Sequence, residues 1–467
     1  MDMRPEPFEP PAPVPRTYAP SRLEIIRTVL RNPLELWGAP SYTLPWIETK
    51  FFSERTIIIN HPGLIRHVLV DNAANYRMAE VRQLILRPIL RDGLLTAEGP
   101  VWKRSRKAVA PVFTPRHAKG FAGRMLAKSE EYVEKYADVG RSGRVEDVSI
   151  DMAELTFAIL IDTLFSGDVV TDSERFSDDV EALLHRMGRV DPMDLLRAPP
   201  WVPRLRRIGG PKVMDHFRGI VRQTMEKRKA KMAEDRASTP DDLLTLLLDL
   251  DGPDGLTLDE IEDNILTFIG AGHETTARAM TWTLYCVAKS PHIREAMERE
   301  IATVLATDAD PVEWLDRMPY VRAAFEEAMR LYPPAPSLNR EAIEDDEWTS
   351  PEGNTVHIVA GTTALVMPWT LHRHVLYWEK PRAFMPERFL PENRGKIDRF
   401  QYLPFGAGPR VCIGATFAMQ EAVIALAVLM SRFRFDALPG VNPWPVQRLT
   451  TQPRDGLPMR VTLRDRQ

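Results

Sequence analysis

The clearest helical pattern in the chain runs through "LTLDEIEDNILTFIGAGHETTARAMTWTLYCVAKSP", which begins at Leu256. Thr257 followed by Glu260 forms a capping box, and Pro291 lies just past the other end. The predicted helix is about 32 residues, roughly 48 Å at 1.5 Å per residue, enough to cross a domain. Its middle breaks the pattern. Gly270 and Gly272 each cost up to about 1 kcal/mol relative to Ala in a helix interior. They sit beside the polar run His273, Glu274, Thr275 and Thr276. A Thr hydroxyl can bond the carbonyl four residues back, Ala271 for Thr275, and bend the helix. Two readings stay open: a kinked core helix whose polar face is paired or solvated, or a notch that carries proton-transfer groups.

Elsewhere the pattern is mostly helical. "SPHIREAMEREIATVLA" and "MPYVRAAFEEAMRLY" carry apolar residues at helical spacing. "RKAKMAEDRASTPDD" reads as a polar connection. "RTIIIN" before "HPGLIRHVLVDN" predicts a strand followed by a helix. Residues 20 to about 100 mix short helices and strands, and residues 346 to about 390 give short extended pieces. "AVIALAVLM" from Ala422 reads as a buried helix, too short for a membrane span. The expected fold is mainly α with a minor β region. A loosely ordered, proline-rich arm over residues 1–20 would precede one compact unit over 21–467.

Composition narrows the classes. Lys plus Arg is 61 and Asp plus Glu is 65, a formal net charge of -4, which argues against a nucleic-acid binder. Hydrophobic content of 44% and charged content of 27% suit a soluble globular protein. The N-terminus has no apolar signal region. The two cysteines, Cys286 and Cys412, make no disulfide framework and no zinc-type CxxC pair. A reducing cytoplasm is therefore expected.

Cys286 reads as a small core residue. Cys412 is different: it lies in "FGAGPRVCIG", a loop of glycines just before an apolar run. Glu327 and Arg330 in "EAMR" share a helix face, and Arg388 follows in "PERF". Taken alone, each of these charged groups reads as an ordinary surface pair, contributing about 0 to 1 kcal/mol.

Taken together, the motifs resemble the cytochrome P450 family of haem-thiolate monooxygenases. "FGAGPRVCIG" is similar to its haem-binding signature at every defined position. "AGHETT" is similar to its oxygen-activation motif, "EAMR" to its Glu-x-x-Arg motif, "PERF" to its downstream arginine segment and "WKRSR" to its early Trp-x-x-x-Arg motif. They stand in the family's order from Trp102 to Gly414. One departure is His374, where the family commonly has Asp, and it bears on local packing only.

The resemblance implies a single P450 fold with a long central helix and haem b as cofactor. It implies Cys412 as the axial thiolate ligand of the iron, with Phe405 beside the sulfur. Arg410, Trp102 and Arg106 would meet the propionates, and Arg340 in "PSLNRE" reads either as a further propionate partner or as an exposed Arg. Ala271 and Gly272 would form the groove for dioxygen. Glu274 and Thr275 would be the acid–alcohol pair that delivers protons, and Glu327, Arg330 and Arg388 a structural triad supporting the cysteine loop. The physical reading of the loop agrees: a thiolate needs a lowered pKa, a following helix turns its positive end toward the sulfur, and Gly406, Gly408 and Gly414 let backbone amides approach.

A hydrophobic small molecule is the expected substrate, held by Met78 to Leu95, Thr267 to Ala271 and Ala335 to Leu338. No Gly-rich dinucleotide fingerprint is present, so electrons are expected from a separate ferredoxin and its reductase, to a monomer. Lys103, Arg104, Lys107, Arg394, Lys396 and Arg399 form either a basic docking patch or a solvated charged face. The alternative activity is a peroxygenase or another reaction on the same fold.

Overall fold

The computed structural model describes residues 6–51, 54–169, 210–252 and 255–464, with single positions at 191, 193, 202 and 204. The helices that frame its interior are α1 (Glu80–Leu90), α2 (Gly99–Val109), α3 (Ala122–Ser142), α4 (Val148–Phe165), α5 (Gly210–Glu234), α6 (Leu258–Ala288), α7 (Pro319–Leu331) and α8 (Ala415–Arg432). The fold is mainly helical with a minor β part, as expected.

The capping box is present. Thr257 accepts from the Glu260 backbone N–H, and the Glu260 carboxylate accepts from the Thr257 N–H. From there α6 runs 31 residues without interruption through its glycines. It crosses the core with buried side chains on nearly every face, and α4 lies alongside it. Their approach explains one glycine: a Cβ on Gly272 would sit 3.1 Å from a Leu160 methyl.

Strands β1 (Trp46–Phe51), β2 (Glu54–Ile59), β3 (Tyr76–Met78), β4 (Leu338–Ala342) and β5 (Thr363–Val366) form one sheet, in the order β1-β2-β5-β4-β3. β2 is the predicted strand, its Ile57, Ile58 and Ile59 buried. It pairs in parallel with β5, while the other neighbours are antiparallel. Met78 pairs with Arg340 across β3 and β4, which brings two distant parts of the chain to one edge of the interior. A smaller sheet joins Val145–Asp147, Pro458–Leu463 and Phe433–Ala437.

Two expectations change. The polar stretch from Arg228 continues α5 as far as Glu234, because Lys, Ala, Met and Glu are good helix formers. Arg228 itself is buried, donating to Asp242 at 2.6 Å, Thr245 at 2.7 Å and the Phe165 carbonyl at 2.9 Å. The N-terminal arm is also tied down from residue 6 onward. The Phe8 carbonyl accepts from Phe384 N–H at 2.8 Å, the Pro11 carbonyl accepts from the Tyr332 hydroxyl at 2.7 Å, and the Phe8 ring meets Tyr285 edge-on.

Cys286 is buried in the core, as expected of a small apolar residue. Among the described residues, α8 is the one helix long and apolar enough to cross a membrane. Most of it, 67%, is packed inside the protein.

Candidate active site

Cys412 sits at the floor of an internal cavity of about 320 Å³. The loop that presents it is fixed by its own backbone: Cys412 N–H donates to the Phe405 carbonyl at 2.9 Å, and Val411 N–H to the Gly408 carbonyl at 3.0 Å. Gly406 and Gly408 take φ of 70° and 76°, a region side chains avoid. A Cβ on Gly408 would also fall 1.7 Å from the Leu69 carbonyl oxygen. The sulfur is open to the cavity and enclosed by protein elsewhere. Burial raises the thiol pKa, opposed by the Gly414 backbone N–H and by the charge of Arg106.

The opposite wall is α6. Ala271 is exposed and Gly272 and Thr275 half-buried in the middle of an otherwise buried helix, because all three face the cavity. Thr275 Oγ1 donates to the Ala271 carbonyl at 2.9 Å, the predicted back-bond. Glu274 is turned elsewhere. It is buried off the cavity wall, where Thr450 Oγ1 donates to its Oε1 at 2.8 Å and Arg278 Nε lies 3.9 Å away. The polar run of α6 thus splits: Thr275 lines the cavity, and Glu274, one residue before it, is buried just off the wall.

One edge of the cavity is lined by guanidinium groups. Arg340 from β4, Arg82 from α1, Arg410 from the cysteine loop and Arg106 from α2 all line it. Burial, then the charges of Arg82 and Arg410, push Arg340 down to about 10. Arg82 is also lowered, by burial and by Arg410. Arg410 lies over the Trp102 ring at 4.5 Å and pairs with Glu98 at 2.6 Å. So many cations in one place are under-neutralised, which is the signature of a site for an anionic group.

Behind the floor, Glu327 and Arg330 of α7 are buried and bidentate, at 2.7 and 2.8 Å. They are the opposite of the solvated pair that each suggests alone. Arg388 Nε approaches Glu327 at 3.4 Å, completing the triad. Arg330 also donates to the carbonyls of His372, Pro381 and Ala383, at 2.6, 2.7 and 2.9 Å. Burial, with the charges of Arg330 and Arg373, holds His372 neutral. Its Nε2 accepts from the Leu403 N–H at 2.9 Å, two residues before Phe405. The triad therefore reaches the cysteine loop through His372.

The comparisons agree with this geometry. The cytochrome P450 family model matches residues 43–458. Cyclooctatin synthase of Streptomyces melanosporofaciens is 30% identical, over 95% of this chain and 95% of its own length. Carotene epsilon-monooxygenase, chloroplastic, of Arabidopsis thaliana is 28% identical, over 87% and 78%. The solved heme domain of cytochrome P450DA superposes with a TM-score of 0.78 at 23% identity, covering 98% of both chains. The chain belongs to the cytochrome P450 family. It is a P450 monooxygenase, an oxidoreductase that uses heme.

The residues of this P450 fit that group. A sulfur open to the cavity, apolar walls from Leu94, Phe113 and Phe268, and cations crowded along one edge match a planar apolar ring with an anionic margin. The three predicted substrate segments meet in the same cavity, through Met78, Leu94 and Leu95, Thr267 and Ala271, and Ala335 and Leu338.

Sequence reasoning missed Arg82, Glu98, Leu160, His372 and Thr450. Of these only Arg82 carried a signal, as a charge inside an apolar segment. The other contacts come from distant turns and helices. His374, the departure from the family pattern, is a packing residue: it stacks on Tyr377 at 4.7 Å and its Nε2 lies 3.1 Å from the Leu44 carbonyl. In the basic surface set, Arg104 is paired with Glu260 and Arg394 with Glu326, so two of the six charges are already engaged.

Proposed function

We propose that this P450 uses haem b to insert one atom of dioxygen into a hydrophobic small molecule. Its electrons come from a separate ferredoxin and reductase, and residues 21–467 act as one cytoplasmic, monomeric haem domain. The observation that carries the reading is the single cavity that joins Cys412, the guanidinium edge and the Thr275 wall.

Cys412 would hold the iron, and Arg410, Arg340, Arg106 and Trp102, together with Arg82, the carboxylate edge. When bound, haem supplies the dioxygen and one-electron chemistry, with the thiolate favouring O–O cleavage. Phe405 shields the sulfur from water, and the Gly414 N–H holds it in place. Ala271 and Gly272 keep the wall low enough for a small second reactant beside the substrate. Thr275, its hydroxyl on the cavity wall, passes protons inward, and Glu274 supplies them. Glu327, Arg330 and Arg388 carry no chemistry and hold the loop.

The substrate reading rests on the apolar lining and on a relative named for oxidising a carotene. Titration of the ferric holoenzyme with hydrophobic compounds, carotenes and smaller isoprenoids among them, tests it. The expected result is a shift of the main visible absorption band with apolar ligands only. A shift produced by polar acids, with none from the apolar set, would overturn it. For the relay, Thr275→Ala should release peroxide in place of product. Unchanged coupling of electrons to product would count against it.

A further inference from the structure

The hairpin of Pro445–Gln447 with Thr451–Pro453 belongs to none of the family motifs, yet it ties the Pro333–Pro334 segment to α6. Thr451 N–H donates to the Pro334 carbonyl at 3.1 Å and its hydroxyl to the Pro333 carbonyl at 2.7 Å, next to the cavity wall at Pro334 and Ala335. From α6, Trp282 Nε1 donates to the Thr451 carbonyl at 3.1 Å, its ring stacked on Tyr332. Between these anchors Thr450, buried to 4% exposure, aims its hydroxyl at Glu274 Oε1 over 2.8 Å.

The carboxyl it meets is only partly paired, as are those of Asp242 and Glu421. Glu274 is 8% exposed, and its second oxygen, Oε2, has no hydrogen-bond partner. The nearest cation, Arg278, approaches Oε1 only to 3.9 Å, while its Nη1 donates to the Ser149 carbonyl at 3.0 Å. A purely structural buried carboxyl is ordinarily saturated with donors. This one is held by a single good hydrogen bond, at one oxygen.

We propose that Thr450 is a positioning residue for the proton-delivering acid: its hydroxyl holds the Glu274 carboxyl just off the cavity wall, one residue from Thr275, and leaves Oε2 without a competing partner. The inference rests on the reading of Glu274 as the relay acid. The hairpin's anchors fix Thr450 relative to α6 and to the Pro333–Pro334 segment at once. Deleting the hydroxyl therefore releases the acid without touching the thiolate or the guanidinium edge.

The test needs neither the substrate nor the native electron donor. Holoenzyme is turned over in air with a surrogate ferredoxin, its reductase and a reduced nicotinamide as the two-electron source, and nicotinamide oxidation is followed in H2O and in D2O. Glu274→Gln, Thr450→Val and Thr450→Ser are compared with the parent, and the carbon monoxide spectrum of each confirms an intact thiolate site. Thr450→Ala replaces the Val variant if that one does not fold. The expected result is that Glu274→Gln and Thr450→Val both slow this nicotinamide oxidation by at least about tenfold, within the usual range of acid–base contributions. Both should also change the H2O/D2O rate ratio, and Thr450→Ser should return rate and ratio to within about twofold of the parent. A parent-like Glu274→Gln would overturn the relay reading. An impaired Glu274→Gln beside a parent-like Thr450→Val, or a Ser variant as slow as Val, would overturn the role of Thr450 alone.

Discussion

Glu421 on α8 is 1% exposed, and burial lifts its carboxyl to about 8, opposed only by the Thr276 hydroxyl. Its ordinary value is 4.5. The unfolded chain therefore ionises at lower pH than the folded one. Whatever stability the neutral carboxyl permits is fully present below the unfolded value and is lost as pH rises toward the folded value. Glu421→Gln should melt with the parent at about pH 5 and several degrees above it at about pH 8, by calorimetry of the holoenzyme. Equal differences at both pH values would refute the burial argument. At the same scale, Arg340→Ala and Arg82→Ala should each lower haem retention, read as the ratio of haem to protein absorbance after gel filtration. Full retention in both would mean that the crowded guanidinium groups do not serve the cofactor. Cys412 and Arg410 were legible in the sequence because the glycines around them have no other use. Arg82, Glu98 and Thr450 were not, because their roles depend on partners 20 to more than 300 residues away, such as Glu98 on Met78, Arg410 on Glu98 and Thr450 on Glu274.

At the scale of elements, the Glu327–Arg330 pair shows how a motif and its environment are separate facts. The spacing placed both on one face of α7. It did not say that the face is fully buried or that Arg330 serves three carbonyls and His372 links it to the cysteine loop. Removing one partner of a buried pair costs about 3–5 kcal/mol. Arg330→Lys, which cannot reproduce the bidentate geometry, should therefore drop the melting temperature by about 3–5 degrees and lose haem, as circular dichroism and the visible spectrum would report. A parent-like melting curve would show that the network contributes little. Gly408→Ala tests the loop itself. With φ at 76° and the Leu69 carbonyl in the way, the variant should fail to bind haem while α6 and α8 still form. The course of α5 through "RKAKMAE" was misjudged for a related reason: polarity was read as a connection, while helix propensity and the buried partners of Arg228 decided the matter.

For the whole molecule, the ordered motifs from Trp102 to Gly414 carried the fold class, and the long helix was readable from its capping box alone. What they could not give was the assembly. β3 and β4 bring Met78 beside Arg340, the tail hairpin closes on α6, and the N-terminal arm lies along the body, all through pairings between remote segments. Those pairings turn scattered motifs into one cavity with a sulfur floor, a hydroxyl on the wall and a cationic edge. The account stands or falls on that floor. The most direct measurement is the absorption spectrum of the reduced carbon monoxide complex of the parent and of Cys412→Ala, each reconstituted with haem. The parent is predicted to show the strongly red-shifted band of thiolate-ligated haem, and Cys412→Ala to lose it while still folding. The same band in both proteins would contradict the assignment of Cys412 as the ligand.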